Sequence, residues 1–252
     1  MNRGRFAALC LMLCAGLGPA QGASFSVSPV RLELAPGQAS TSLKVSNEGD
    51  EAKLLQVSVL KWTRRNGEDQ YEPDDQNAGL IVTPPLFQVS PSGGSQLVRI
   101  GFQKPPAAGP AEQAWRVIVE EVPKAAQPDA AVSAATGAGT IKMRLRINLP
   151  LFLAPASPHQ DLRWEGYTAA GGKLRLVAIN AGNVSERIDE LLVKSADQQS
   201  QLGRLPGPIY IFPGEHRVLE VSPGAAPRGG AVKLVMQGTL RPLVSDLVLR
   251  AQ

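Results

Sequence analysis

The sequence predicts an all-β protein made of two consecutive sandwiches, and three observations carry that expectation. Short apolar runs alternate with polar residues at a period of two along most of the chain. Turn-forming residues punctuate the runs, with 25 Gly and 21 Pro spread along the sequence and not gathered in one tract. No segment carries the 3.6-residue apolar period of a useful amphipathic helix. A chain of 252 residues is long for one sandwich and comfortable for two of about 100 to 130 residues.

The chain opens with a secretory signal. Asn2-Arg3-Gly4-Arg5 is a basic start, Phe6 to Leu17 is apolar, and Ala20-Gln21-Gly22 has the small-x-small pattern of a cleavage site. Residues 1–22 are therefore expected to leave, with a mature start near Ala23. The apolar run is too short to span a bilayer. Both cysteines, Cys10 and Cys14, lie inside the signal, so the mature chain uses neither disulfides nor thiolate metal sites. Arg3 and Arg5 take half of the formal net charge of +4 with them, and the remainder does not call for nucleic acid.

Strand signals then follow in order. Phe25 to Leu34 is strand-like but holds Pro29, which fits an edge strand with a kink. Leu43 and Val45 mark a second strand before the turn Asn47-Glu48-Gly49-Asp50, and Leu55, Val57 and Val59 mark a third ending at Trp62. Arg64 to Asn77 reads as a solvated hairpin loop, dispensable for the core. Pro84 and Pro85 interrupt the apolar stretch Leu80 to Gln88 and call for a bulge or a cis peptide. Ser95 to Phe102 and Ala114 to Val122 are further strands, the latter placing Trp115, Val117 and Val119 on one face. Pro123 to Gly139 is an aperiodic Ala/Gly/Pro-rich loop.

That loop delivers the chain into Ile141 to Pro155, around which the first domain is organised. Ile141, Met143, Leu145, Ile147, Leu149, Leu151 and Leu153 are all apolar, while Lys142, Arg144, Arg146 and Asn148 occupy the alternate positions. One face is greasy and the other cationic. So long a strand either outruns its sheet or breaks near Pro150. Its apolar side either fills the domain's own core or pairs with another chain at an edge. Its cationic side either is a wet face or serves a partner. Pro155-Ala156-Ser157-Pro158 closes a first domain at residues 23–155. Residues 156–252 form the second, with strands at Leu174 to Ile179, Arg187 to Val193, Ile209 to Phe212, Arg217 to Val221, Ala231 to Met236 and Leu243 to Leu249. No internal repeat is legible.

Catalytic material is scarce. Only His159 and His216 are present, which leaves little for a histidine triad or a multi-histidine metal site. Gly137-Ala138-Gly139 lacks the third glycine of a dinucleotide fingerprint and precedes a strand. Asp74-Asp75 and Glu120-Glu121 are sequence neighbours, which on a strand point to opposite faces. The expectation is a binding protein without cofactor or metal, and not an enzyme.

Several of these residues together resemble the periplasmic pilus, or fimbrial, chaperones of the chaperone-usher pathway. They are Arg31, Val45-Ser46-Asn47, Val82-Thr83-Pro84-Pro85-Leu86, Pro91 with Gln96-Leu97-Val98-Arg99-Ile100, Glu121-Val122-Pro123, and the alternating strand closing at Pro155. The resemblance implies two immunoglobulin-like sandwiches set at an angle with a cleft between them, and a location in the periplasm. It also implies donor-strand complementation. Ile141, Met143, Leu145 and Ile147 would fill the groove of a pilus subunit, and the capped subunit would be delivered to an outer-membrane usher. Two basic residues in the cleft would hold the subunit's C-terminal carboxylate. Arg31 falls on one of these positions; the other is Pro150 here, and Arg116 is expected to supply the charge, ahead of Arg146. The lost lysine, absent cysteines and long loop look most like the archaic or alternative branch. Neither nucleic acid nor membrane insertion is expected; self-association of the free chaperone is left open. The alternative from another class is a structural or adhesive sandwich sharing the architecture without chaperoning.

Overall fold

The period-two segments form strands because alternate side chains on a pleated chain face opposite sides, so each segment offers one apolar face for burial. The computed structural model describes residues 25–65, 67–73, 79–104, 109–123, 144–224, 230–238 and 243–251. The expected signal, most of the Ala/Gly/Pro-rich loop, Ile141 and Met143 lie outside the described residues. The strands are β1 (Phe25–Ser28), β2 (Leu32–Leu34), β3 (Ser40–Asn47), β4 (Lys53–Arg65), β5 (Glu68–Pro73), β6 (Leu80–Thr83), β7 (Leu86–Val89), β8 (Gly94–Phe102), β9 (Gln113–Glu121) and β10 (Arg146–Leu153). After them come β11 (Leu162–Thr168), β12 (Leu174–Asn180), β13 (Glu186–Ser195), β14 (Gln201–Ile211), β15 (His216–Val221), β16 (Ala231–Gln237) and β17 (Leu243–Ala251), with one short 3-10 turn at Ala170–Gly172. The molecule is all-β, as expected.

The first half pairs a sheet in the order β1-β3-β8-β6 with a second running β2-β10-β9-β4-β5, in which β7 also pairs with β4. Both proline-interrupted stretches change sheets at the interruption. Ser28–Pro29 and Thr83–Pro84 are cis. β1 and β6 lie in the first sheet, and β2 and β7 in the second. Leu43, Val45, Val98, Ile100, Trp115, Val117 and Val119 from the two sheets meet in one buried core with Leu149, Leu151 and Leu153. The second half forms a strand path β14-β13-β16-β17-β11-β12-β15 around its own core of Leu174, Leu176, Leu191, Val193 and Leu234, among others. β17 crosses between its faces, pairing with β16 as far as Val248 and then parallel to β11 from Leu249.

A repeat that the sequence did not make legible is explicit in the fold. Each half sets its last strand parallel to an early strand, β10 to β2 and β17 to β11. Each also buries an asparagine at the end of an equivalent strand. Asn47 Nδ2 donates to the carbonyls of Glu51 and Val89, and its Oδ1 accepts from Gly49 N–H. Asn180 does the same with Val184, Ile211 and Gly182. A buried amide with its hydrogen bonds made locks each turn to a neighbouring strand.

Four expectations are corrected. Arg64 to Asn77 is not a dispensable loop: β4 runs to Arg65 and pairs with β5, and the Arg64 side chain is buried. Arg31 is not within a strand but in the bend between β1 and β2. The chain does not break at Pro150. β11, with Leu162 and Trp164 packed on the second core, went unread because Gly166 and the charged residues between dilute its apolar face. Gly166 lets the two strands pack closely, since a Cβ there would come within 2.6 Å of the Leu247 side chain and force it to shift.

Candidate functional site

β10 is paired along its full length on one side only. Its antiparallel register with β9 runs from Arg146 opposite Glu120 to Leu153 opposite Gln113. Glu121 N–H donates to Leu145 C=O at 3.3 Å. Ladder bonds alternate along an antiparallel pair, so odd-numbered residues of β10 aim their backbone groups at β9 and even-numbered residues aim theirs at the opposite edge. On that edge β2 covers only Leu151–Leu153, continued by Ala154 N–H donating to Leu34 C=O at 3.0 Å. From Arg146 to Pro150 no strand lies beside it among the described residues. Pro150 is even-numbered, so the N–H it lacks would have pointed away from β9. That is why the strand continues through a proline.

The side chains change character along the same strand. Leu149, Leu151 and Leu153 are buried in the first core, whereas Leu145 and Ile147 are only partly buried against it. On the opposite face Arg146 and Asn148 are exposed, and Arg146 pairs with Glu120 at 3.7 Å with more than half of its side chain in solvent. Arg146 shares this face with Pro150 and Phe152 but lies upstream of the junction of the two halves. Pro150 and Phe152 on that face are buried, because the second half arrives there.

The junction is an aromatic cluster of Trp62, Phe152, Tyr210 and Phe212, in which Trp62 meets Tyr210 and Phe212 edge-on with ring centroids 5.2 and 4.7 Å apart. Trp62 and Phe152 come from the first half, and Tyr210 and Phe212 from the second. Arg64 ties them together. Its Nη2 lies 2.6 Å from Asp69 and its Nη1 2.9 Å from Glu215, and Nη1 also donates to Tyr210 C=O at 2.8 Å. Burial, the largest influence, pushes the Asp69 carboxyl up, but the hydrogen bonds and charge of Arg64 together with the neighbouring Trp62 and Tyr71 outweigh it and hold Asp69 below its ordinary range. A second strap lies nearby. Asn183 Nδ2 donates to Pro110 C=O at 3.0 Å, and Glu112 Oε1 accepts from Ser185 N–H at 3.1 Å. Burial is the main influence on Glu112 and raises its carboxyl despite that bond.

The two anticipated anchors flank the aromatic cluster. Arg31 stacks on Phe152 at 4.2 Å and is ion-paired to Glu33. Arg116 stacks on Trp62 at 3.6 Å, and its Nε is buried without a hydrogen-bond partner. Arg116 also lines a cavity of about 280 Å³ between the halves, together with Arg64, Asp69, Arg187, Tyr210 and Arg217; Arg31 does not line it. Sequence reasoning missed Arg64, Arg187 and Arg217. Arg64 shares the parity of Trp62 and could have been read as its continuation, but Arg187 and Arg217 carry no local signal, since only the docking of the second half brings them to Arg116.

A family model described as the pili and flagellar-assembly chaperone, PapD N-terminal domain, matches residues 24–159. The chain is 31% identical over 153 residues to the chaperone protein FimB/FhaD of Bordetella pertussis, a match that covers 59% of this chain and 58% of that relative. Among solved structures, a chain of the CsuC-CsuE chaperone-tip adhesion subunit pre-assembly complex, from the archaic chaperone-usher Csu pili of Acinetobacter baumannii, matches with a TM-score of 0.61. That match is at 16% identity and covers 90% of this chain and 100% of that one. The Salmonella enterica SafA pilin–SafB chaperone complex gives 0.60 at 20% identity over 89% and 97%. The Pseudomonas aeruginosa CupB2 chaperone gives 0.56 at 16% identity over 88% and 98%. At these identities the structural likeness concerns the fold.

Proposed function

The chain belongs to the pili and flagellar-assembly chaperone family, and from that premise we propose that it binds unassembled pilus subunits by lending them the open edge of β10. The observation that carries this reading is the edge itself. Arg146 and Asn148 present backbone donors and acceptors with no strand beside them among the described residues, and Leu145 and Ile147 are only half covered. An incomplete sandwich that added this edge as a strand would gain main-chain hydrogen bonds from the even positions. Apolar contact from Ile141, Met143, Leu145 and Ile147 would add to them. Each aliphatic side chain fully buried in that way contributes roughly 1.5 to 3 kcal/mol before the costs of association. No nucleotide is needed, because the stability of the subunit comes from the lent strand.

In this reading residues 1–22 direct the chain to the periplasm and are removed, residues 23–155 form the strand-lending domain, and residues 156–252 form the second. Arg31 and Arg116 hold the subunit's terminal carboxylate beside the aromatic cluster, and the complex passes to an outer-membrane usher. The missing donor-strand lysine favours the archaic or alternative branch. The test is periplasmic co-expression with pilus subunits from the same genome, followed by purification on a tagged copy of this chain. A soluble one-to-one complex is expected, and Met143→Glu and Leu145→Glu should each abolish it while the chain stays folded. A folded chain that captures no subunit would instead support a structural or adhesive sandwich.

A further inference from the structure

Strand lending uses the backbone and the odd-numbered side chains of the open edge, and leaves two even-numbered side chains, Arg144 and Arg146, without a task. Both are exposed. The covered side of β10 answers them poorly, since Arg146 meets Glu120 only at 3.7 Å, with 58% of its side chain in solvent. One step further along the register, past the bond from Glu121 N–H to Leu145 C=O, Arg144 falls beside Val122, which carries no charge. Glu121 is taken by Lys53 at 2.9 Å. No carboxylate lies within ion-pair distance of Arg144 among the described residues. Two neighbouring cations on one face thus share one distant partner.

The open side is where a counter-charge can be added. Residues directly opposite each other on a sheet keep their Cβ atoms about 4.5 to 5.5 Å apart, so opposite charges there attract and like charges repel. A strand that joins this edge places its own side chains beside Arg146 on the same face, as β9 places Glu120 on the covered side. Main-chain hydrogen bonds are the same for any strand, so selection falls to the side chains. A second copy of this chain is a poor occupant, because pairing two such edges sets cation against cation. We propose that Arg144 and Arg146 are specificity determinants of the lent strand, selecting a subunit strand that carries Asp or Glu on its outward face. This rests on the chaperone reading and adds to it the chemistry of the partner strand, apolar inward toward Leu145 and Ile147 and acidic outward beside the two arginines. A guanidinium suits the task because its planar fork meets a carboxylate with two parallel bonds.

Competition within one periplasm tests this. The full chain and a differently tagged Arg144→Glu/Arg146→Glu variant are co-expressed with a limiting pilus subunit from the same genome, and the subunit recovered on each tag is quantified. Each cross-strand charge pair changes affinity by up to about fivefold, so turning two attractions into repulsions should cut the variant's share at least about tenfold. Arg65→Glu, which reverses an exposed arginine at the far end of β4, should keep its share within about twofold. Asp and Glu residues of the subunit are then changed to Lys one at a time, and at least one change should move the subunit toward the reversed chain. If thermal unfolding shows the reversed chain to be destabilised, Arg144→Gln/Arg146→Gln takes its place, with a loss of at least about threefold expected. An equal share for the variant, an equal loss in Arg65→Glu, or a loss that no subunit reversal restores overturns the proposal and leaves the chaperone reading intact. A wild-type chain that captures no subunit overturns that reading, and this proposal with it.

Discussion

Leu145 and Ile147 obey the same alternation as Leu149, Leu151 and Leu153, yet the first two are half covered and the last three are buried. Composition does not separate them, since all are large aliphatic residues. Neighbours do. From Leu151 onward β2 closes the free edge, and the second half covers the opposite face at Pro150 and Phe152. Upstream of Pro150 the strand has β9 on one side and no strand among the described residues on the other. One strand therefore serves as core at one end and as an available edge at the other, and the boundary falls at the residue that lacks a donor.

The strongest way to break this comparison is Leu151→Ala. If the downstream end is core, chemical denaturation should register a loss of about 2 to 5 kcal/mol. A loss comparable to that of an upstream residue would erase the distinction. Next in size is Arg64→Ala, which removes the tie holding the second half against Phe152 and strands Glu215 in a nearly buried position. A loss of about 1.5 to 3 kcal/mol is expected, measured the same way. Ile147→Ala should cost only about 1 kcal/mol in the free chain because the side chain is half covered. Subunit capture should nevertheless fall sharply, and equal effects in the two assays would place Ile147 with the core.

Acid provides a gentler probe of the downstream end. The folded Asp69 carboxyl titrates below its unfolded value, so its contribution is present above the unfolded pKa and is lost as pH falls through the folded one. Melting temperature against pH should therefore decline more gently on the acid side in Asp69→Asn than in the wild type. Smallest of all is Arg146→Ala. Its pair with Glu120 is long and exposed, and its removal should move stability by no more than about 0.5 kcal/mol.

The repeated asparagine shows how much of the fold could be read and where reading stopped. Asn47-Glu48-Gly49 and Asn180-Ala181-Gly182 are both legible as turns. That each asparagine is buried and bonds a carbonyl far along the chain, Val89 in one case and Ile211 in the other, is visible only once the sheets have paired. A turn depends on adjacent residues, whereas the partner of a buried amide is chosen by topology. The site divides along the same line. Arg116 and the alternating strand were legible because they sit on strands with a period, while Arg64 was mistaken for loop because its polar neighbours hid the continuation of β4.

By itself the sequence determined the class of the fold, the strand faces and the candidate edge, because period-two alternation and turn chemistry act within a few residues of each other. It also determined which residues could grip an anion, since guanidinium chemistry belongs to the residue. Only the tertiary structure decided which half of β10 is covered, that Arg146 stays in solvent while Arg116 lies at the junction, and that Arg187 and Arg217 line the same cavity as Arg116. Those outcomes depend on how the two sandwiches dock, and docking is set by long-range burial of Trp62, Phe152, Tyr210 and Phe212, which leaves no local pattern to read.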